Sequence, residues 1–317
     1  MWEKLPSATR IIGTSNLETI AFPNKWVSGQ AFEQALRSSP ALLTSPDMSV
    51  RFEIPSNCKI MVAAGVKLLS LANQLQAIGK SVSMSFEFGS ATLGYLNRIG
   101  FFDLLDARIA VEPERPSYSG AQLYRGGNQG LVEFAPISPI HQDRELPSRL
   151  ERALTAALPD TVDRDAFGPA VYTVLGELIS NIYEHSETNL DGFAVLQVYP
   201  QGKKAMVAVS DSGKGLIETL RPALLMQDHA LGNLDDASLL VEAFRNGLSR
   251  HGEGRGNGLK QCATKSIRYN ANLEVRLPNT YVRLVPSTDG YTPHTVYSQS
   301  DAPLLWGTHI AFEFALA

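Results

Sequence analysis

Apolar and polar residues follow two rhythms along this chain. SVRFEIP (49–55) and SVSMSFEF (81–88) alternate with a period of two, and Val82, Met84, Phe86 and Phe88 fall on one side of the second, so both predict strands. Ala63–Ile78 and Tyr95–Leu105 instead space their apolar residues as helices do. The β-α-β-α order predicts a small α/β domain, assigned with its linker to residues 49–145. Residues 1–48 are irregular apart from a helix predicted around Ser28–Arg37, and read as an N-terminal extension. Pro113, Pro116, Pro136, Pro139 and Pro147 punctuate a Gly- and Ser-rich stretch over 108–150, which reads as loops and an interdomain connection.

Residues 146–317 read as a second domain. A helix is predicted to start near Ser148, followed by a long helix (169–186), a hairpin (192–210) and a glycine turn. A long loop with an embedded helix (about 236–250) comes next, then a helix at 257–268 and strands near 271–277, 280–285 and 308–314. Helices interleaved with hairpins predict a mixed sheet covered on one face. The fold class is α/β.

A length of 317 residues exceeds one typical domain, and 44% hydrophobic content is ordinary for a globular chain. The formal net charge of −4 argues against broad nucleic-acid binding, which needs a basic face. No run of about 18 apolar residues occurs, so no membrane span is expected, and MWEKLPSATRIIG lacks the apolar stretch of a secretory signal. Cys58 and Cys262 are far apart and read as buried thiols in a reducing compartment, so a cytoplasmic protein is expected. His251 lies near Cys262, but one Cys and one His do not build a zinc site.

Three segments carry candidate chemistry. In GPAVYTVLGELISNIYEHS, Val171, Val174, Leu175, Leu178, Ile179 and Ile182 form a core face. Glu177, Asn181, Glu184 and His185 share one side bordering it. There Glu177 could orient and deprotonate water, and the Asn181 side-chain oxygen could ligate Mg²⁺. Alone, the stripe reads more readily as a solvated face with incidental polar residues. In VAVSDSGKGL (207–216) a strand delivers Asp211 to its end, with Gly213 and Gly215 behind it. A buried carboxylate there needs a hydrogen-bond donor, such as the adenine amino group, and the glycines let the backbone approach a flat base. A plain Asp-Ser-Gly turn is the bland alternative. In HGEGRGNGLK (251–260), Gly252, Gly254, Gly256 and Gly258 alternate before an apolar helix, so backbone N–H groups could face an anion at the helix N-terminus, with Arg255 and Lys260 adding charge. This is not a Walker A loop, and neither is Gly79-Lys80-Ser81.

Taken in this order, the three segments closely resemble the GHKL superfamily, which includes gyrase, heat-shock chaperone, sensor histidine kinase and mismatch-repair ATPases. Glu177 and Asn181 match its N box. Asp211, Gly213 and Gly215 match its first glycine box, and Gly254, Gly256 and Gly258 its second. Gly307-Thr308 before HIAFEF resembles the terminal Gly-Thr, whose threonine commonly supports the phosphates. The resemblance implies a two-layer α/β sandwich of the histidine-kinase-like ATPase type over 146–317, holding ATP and Mg²⁺, with a mobile lid over 216–253. The front domain, through its βαβα pattern and the GYLNRIGFFDLL helix (94–105), is similar to STAS-like domains, the fold of anti-sigma-factor antagonists.

Three activities follow as expectations: an ATPase or ATP-gated regulatory switch, a serine/threonine kinase of the anti-sigma-factor type acting on a protein partner, or a binding module without turnover. The Glu at 177 favours turnover, because it keeps the group a water-activating base requires. A self-phosphorylating sensor histidine kinase is disfavoured. No segment has room for a dimerising hairpin with a phosphoacceptor, and the one candidate, His141 in IHQDREL, is crowded by prolines.

Overall fold

The computed structural model describes residues 16–46, 48–138, 140, 142–185, 187–227, 229–248 and 257–316. Gly252, Gly254, Arg255, Gly256, His141 and His251, all singled out above, lie outside them. In chain order the front unit holds β1 (Asn16–Ala21), β2 (Trp26–Val27), α1 (Gly29–Leu36), β3 (Met48–Ile54), β4 (Lys59–Ile60), α2 (Val62–Ala77) and β5 (Ser81–Phe86). It continues with α3 (Ala91–Arg98), α4 (Phe101–Leu104), β6 (Ala110–Glu112) and α5 (Gly120–Leu123). Four of its strands form a parallel sheet in the order β1-β3-β5-β6.

Two front-unit expectations change. Residues 16–46 are not an irregular extension, because β1 pairs with β3 from Asn16–Met48 to Ala21–Glu53 and α1 packs on α2. In NLETIA the apolar residues Leu17 and Ile20 stand three apart, which hides the strand period. The single helix expected over Tyr95–Leu105 is broken by Gly100, whose φ of +83° a helix cannot contain.

The second unit holds β7 (Leu131–Ile137), α6 (Leu146–Ala156), α7 (Arg164–His185), β8 (Gly192–Tyr199), β9 (Lys204–Ser210) and α8 (Leu216–Gln227). After these come α9 (His229–Gly232), α10 (Asp236–Asn246), α11 (Asn257–Arg268), β10 (Asn272–Arg276), β11 (Tyr281–Ser287), β12 (Gly290–Pro293) and β13 (His309–Ala315). Its sheet is antiparallel throughout, in the order β12-β11-β10-β13-β9-β8-β7. The sheet therefore begins inside the stretch expected to be a linker. Pro136 is tolerated in β7 because an edge strand can lack a ladder donor.

This sheet is covered on both faces, not one. Along β8 and β9, Ala194, Leu196, Val207 and Val209 enter the core under α6, α7, α10 and α11. The alternate residues Phe193, Val195, Met206 and Ala208 enter the front unit's core, where α2 lies against β8, β9 and β13. Nearly every residue of α2 is buried, as expected of a helix held between two sheets. In the stretch expected as a mobile lid, α8, α9 and α10 are helical, and α8 and α10 pack against the core. Leu220, Leu224, Leu239 and Phe244 are buried, and Arg221 binds Asp236 at 2.6 Å and the Gly232 and Leu234 carbonyls. Pro222 lies inside α8 and hides that helix from the sequence pattern.

The molecule is thus mixed α/β, with one parallel and one large antiparallel sheet. Among the described residues no helix is long and apolar enough to cross a membrane. Cys58 and Cys262 are free and buried.

Candidate functional site

β9 ends at Ser210 and β13 begins at His309, directly opposite it. The residues just beyond these strand ends therefore meet. The Asp211 amide donates to the Thr308 carbonyl at 3.0 Å, adding one rung to the ladder. The Asp211 carboxylate is held through both oxygens: Oδ1 accepts from the Gly213 amide at 2.7 Å and Oδ2 from the Thr308 amide at 2.9 Å. Burial pushes this carboxyl up to about 6, against the pull of those two amides. Each oxygen keeps a free lone pair, so the group can accept from one more donor.

Glycine is required where the two turns cross. Gly307 has φ +93°, and a Cβ there would collide with the Asp211 carbonyl. Gly215 has φ +89°, and a Cβ on it would lie 3.1 Å from the Gly307 carbonyl oxygen. The two turns lock each other and aim the carboxylate.

Asp211, Gly215, Thr308 and Asn181 line one cavity of about 90 Å³, whose apolar walls come from residues such as Ile182, Leu259 and Ile310. The long helix, the Asp-x-Gly-x-Gly turn, the Gly-Thr pair and the start of α11 thus converge. The volume is far below the roughly 300 Å³ at which ligand clefts typically begin, so it suits one flat ring rather than a whole nucleotide. Glu177 is not on its wall. It sits one turn earlier on α7, against Gly258 at the start of α11, where a Cβ would collide with its carboxylate. A negative group there complements the positive end of α11. Burial first, and then the Glu177 charge, push the neighbouring Cys262 thiol up to about 12.

Thr308 is more occupied than a free phosphate ligand would be. Its hydroxyl accepts from the Leu216 amide at 2.7 Å, capping α8, and only its own proton remains to donate. Lys260 is exposed on α11 and lies off the cavity wall. Among the described residues no three His, Cys, Asp or Glu side chains gather to hold a metal. A cation beside Asn181 would need most of its oxygens from a ligand.

The sequence pattern does not single out the contacts behind the cavity. Lys67, Ser70 and Gln74 fall on one stripe of α2, and all three are buried. Ser70 Oγ lies 2.7 Å from Ser210 Oγ, which lies 2.5 Å from His309 Nδ1, while His309 Nε2 faces the Trp306 carbonyl at 3.1 Å. Burial, with Arg276 and Lys67 adding to it, holds His309 well below its usual range, so the ring is neutral. Nε2 facing a carbonyl must carry the proton, and Nδ1 accepts from Ser210. Gln74 clamps the Trp306 backbone, donating to its carbonyl at 2.9 Å and accepting from its amide at 3.0 Å, and also donates to Ser212 at 3.1 Å. One front-unit helix therefore holds both neighbours of Asp211 and the residue before Gly307. Three polar residues, Lys67, Ser70 and Gln74, on one stripe of a mostly apolar helix were the available signal.

The same stripe supports a buried ion cluster. Lys67 Nζ donates to Glu33 at 2.6 Å and to the Gly29 carbonyl at 2.9 Å, and Arg276 Nε donates to the other Glu33 oxygen at 2.9 Å. Burial would push the Glu33 carboxyl up, but the two cations outweigh it and hold it below the ordinary range. No protein-family model matches this sequence, and no curated protein matches it.

Proposed function

We propose that the chain binds ATP with Mg²⁺ in a GHKL-type pocket and works as an ATPase or ATP-gated regulatory switch. The observation that carries this reading is the Asp211 carboxylate, buried at the edge of a small, mostly apolar cavity with acceptor capacity unspent. A flat base with an exocyclic amino group satisfies both features. Asn181, on the same cavity, would ligate Mg²⁺, whose remaining ligands would be phosphate oxygens and water. Glu177, beside the start of α11, would orient and deprotonate water. Gly254, Gly256, Gly258 and Lys260 belong to the phosphate end in this reading, where the positive helix terminus adds to backbone N–H donors. The bound nucleotide supplies the transferable phosphoryl group. The chain's own groups position it.

The contacts from α2 favour the switch over a kinase acting on a separate protein. Ser70 and Gln74 hold the segments on both sides of Asp211, so a ligand that moves those segments must move or strain α2. The front unit, STAS-like in this proposal, would pass that change to a regulatory protein partner. Calorimetric titration with Mg-ATP tests the reading. Saturable binding is expected in the wild type and none in Asp211→Asn, whose amide presents a donor to a donor. Equal affinity in the two proteins refutes it. With γ-labelled ATP, free phosphate marks the switch and label on protein marks a kinase.

A further inference from the structure

A second cavity, larger than the first, opens on the opposite face of the large sheet, between the two units. It measures about 870 Å³ and is bounded by β2, β4 and α3 on one side and by the β8–β9 hairpin on the other. We infer that this cleft is a binding site for a small planar, mostly apolar molecule carrying one anionic group, separate from the Asp211 cavity. The volume falls within the range of clefts that bury a small ligand.

Its chemistry is asymmetric. The charged residues on its wall are Lys59 and Lys204, with no carboxylate among the lining side chains. Lys204 is spent on Glu313 at 2.6 Å. Lys59 is exposed, and among the described residues its contact is the Trp26 ring, 5.2 Å from ammonium to centroid. A cation on an aromatic face, with no carboxylate to neutralise it, is ready for an anion at the ring's edge. Trp26 is 55% exposed and packs edge-on against Tyr199, with centroids 6.4 Å apart. An indole left this open beside a cavity offers a face on which a planar ring can lie.

The inner wall supplies polar groups. The Tyr199 hydroxyl accepts from the Val62 amide at 3.1 Å, serving as the cap that Met61 does not provide for α2. The Tyr95 hydroxyl is shielded from water beside the Tyr199 hydroxyl, which interacts with it. Aromatic face and free ammonium together select a flat acid rather than a peptide or a sugar.

The probe is 1-anilinonaphthalene-8-sulfonate, whose flat naphthalene carries one sulfonate, followed by its own fluorescence and by saturation-transfer NMR on the full chain. One saturable site is expected, unchanged in Asp211→Asn and not displaced by Mg-ATP. Because Trp26 and Lys59 are exposed, Trp26→Ala and Lys59→Glu should fold normally, and each should weaken the site by about tenfold or more. Absence of saturable binding, affinity unaffected by Trp26→Ala and Lys59→Glu, or competition by Mg-ATP together with loss in Asp211→Asn each overturns the assignment. The last outcome would instead place the probe in the Asp211 cavity, so the two sites fail separately.

Discussion

Asp211→Asn removes a buried charge with almost no change of shape, and its effect on folding can be worked out. The carboxyl titrates near 6 rather than 3.8. Raising this carboxyl from 3.8 to about 6, at about 1.4 kcal/mol for each tenfold change in proton affinity, makes ionised Asp211 cost the fold about 3 kcal/mol. The folded protein holds this proton more tightly than the unfolded chain does. The stabilisation is therefore present below pH 4 and is lost as pH rises from about 4 through about 6. Titrating from pH 7.5 to 4.5 recovers about 2 kcal/mol of it. The Asn variant does not titrate, but its NH₂ must face the Gly213 or Thr308 amide, a clash of donors worth about 1–3 kcal/mol. The two effects are of similar size at pH 7.5. There the variant should lie within about 2 kcal/mol of wild type, and at pH 4.5 it should be worse by about 2 kcal/mol more. Urea unfolding of both proteins at the two pH values reads this directly, because carboxylates common to both cancel in the difference. A wild type-to-variant gap that stays constant across pH would show that Asp211 is not the buried, uncompensated charge described above.

Three further outcomes are expected. Gly307→Ala should destabilise the protein by at least about 2 kcal/mol in thermal unfolding, since the backbone sits at φ +93° and a Cβ collides with the Asp211 carbonyl; a change below about 0.5 kcal/mol would contradict this. Glu33→Ala leaves Lys67 and Arg276 buried without their shared carboxylate and should cost about 3–5 kcal/mol by urea unfolding, whereas a near-neutral result would mean the cations find water. Glu177→Ala should retain Mg-ATP binding by calorimetry and lose phosphate release; retained turnover would remove Glu177 as the base.

Much of the fold is legible along the chain, because its signals are local. The alternation in 81–86, the apolar spacing of α2 and α7, and the glycine-preceded start of α11 each appear within one element's length, although the strand stops at Phe86 and leaves Phe88 exposed. The misses have local causes too. Leu17 and Ile20 stand off the strand period in β1, and Pro136 and Pro222 read as breakers although an edge strand and α8 accommodate them. For the Asp211 cavity, the sequence names the residues and their order. It cannot say that Glu177 turns toward Gly258 rather than the cavity, nor that the Thr308 hydroxyl is used to cap α8.

By itself, then, the sequence determined the local elements and the residues able to carry chemistry, since period, turn residues and side-chain type act over a few positions. The tertiary structure alone decided that α2 lies between the two sheets and joins Ser70 and Gln74 to the residues around Asp211. It alone placed Lys59 and Trp26 across a cleft from the β8–β9 hairpin. Both depend on pairings between residues more than a hundred positions apart, and no local pattern encodes which buried polar group will meet which.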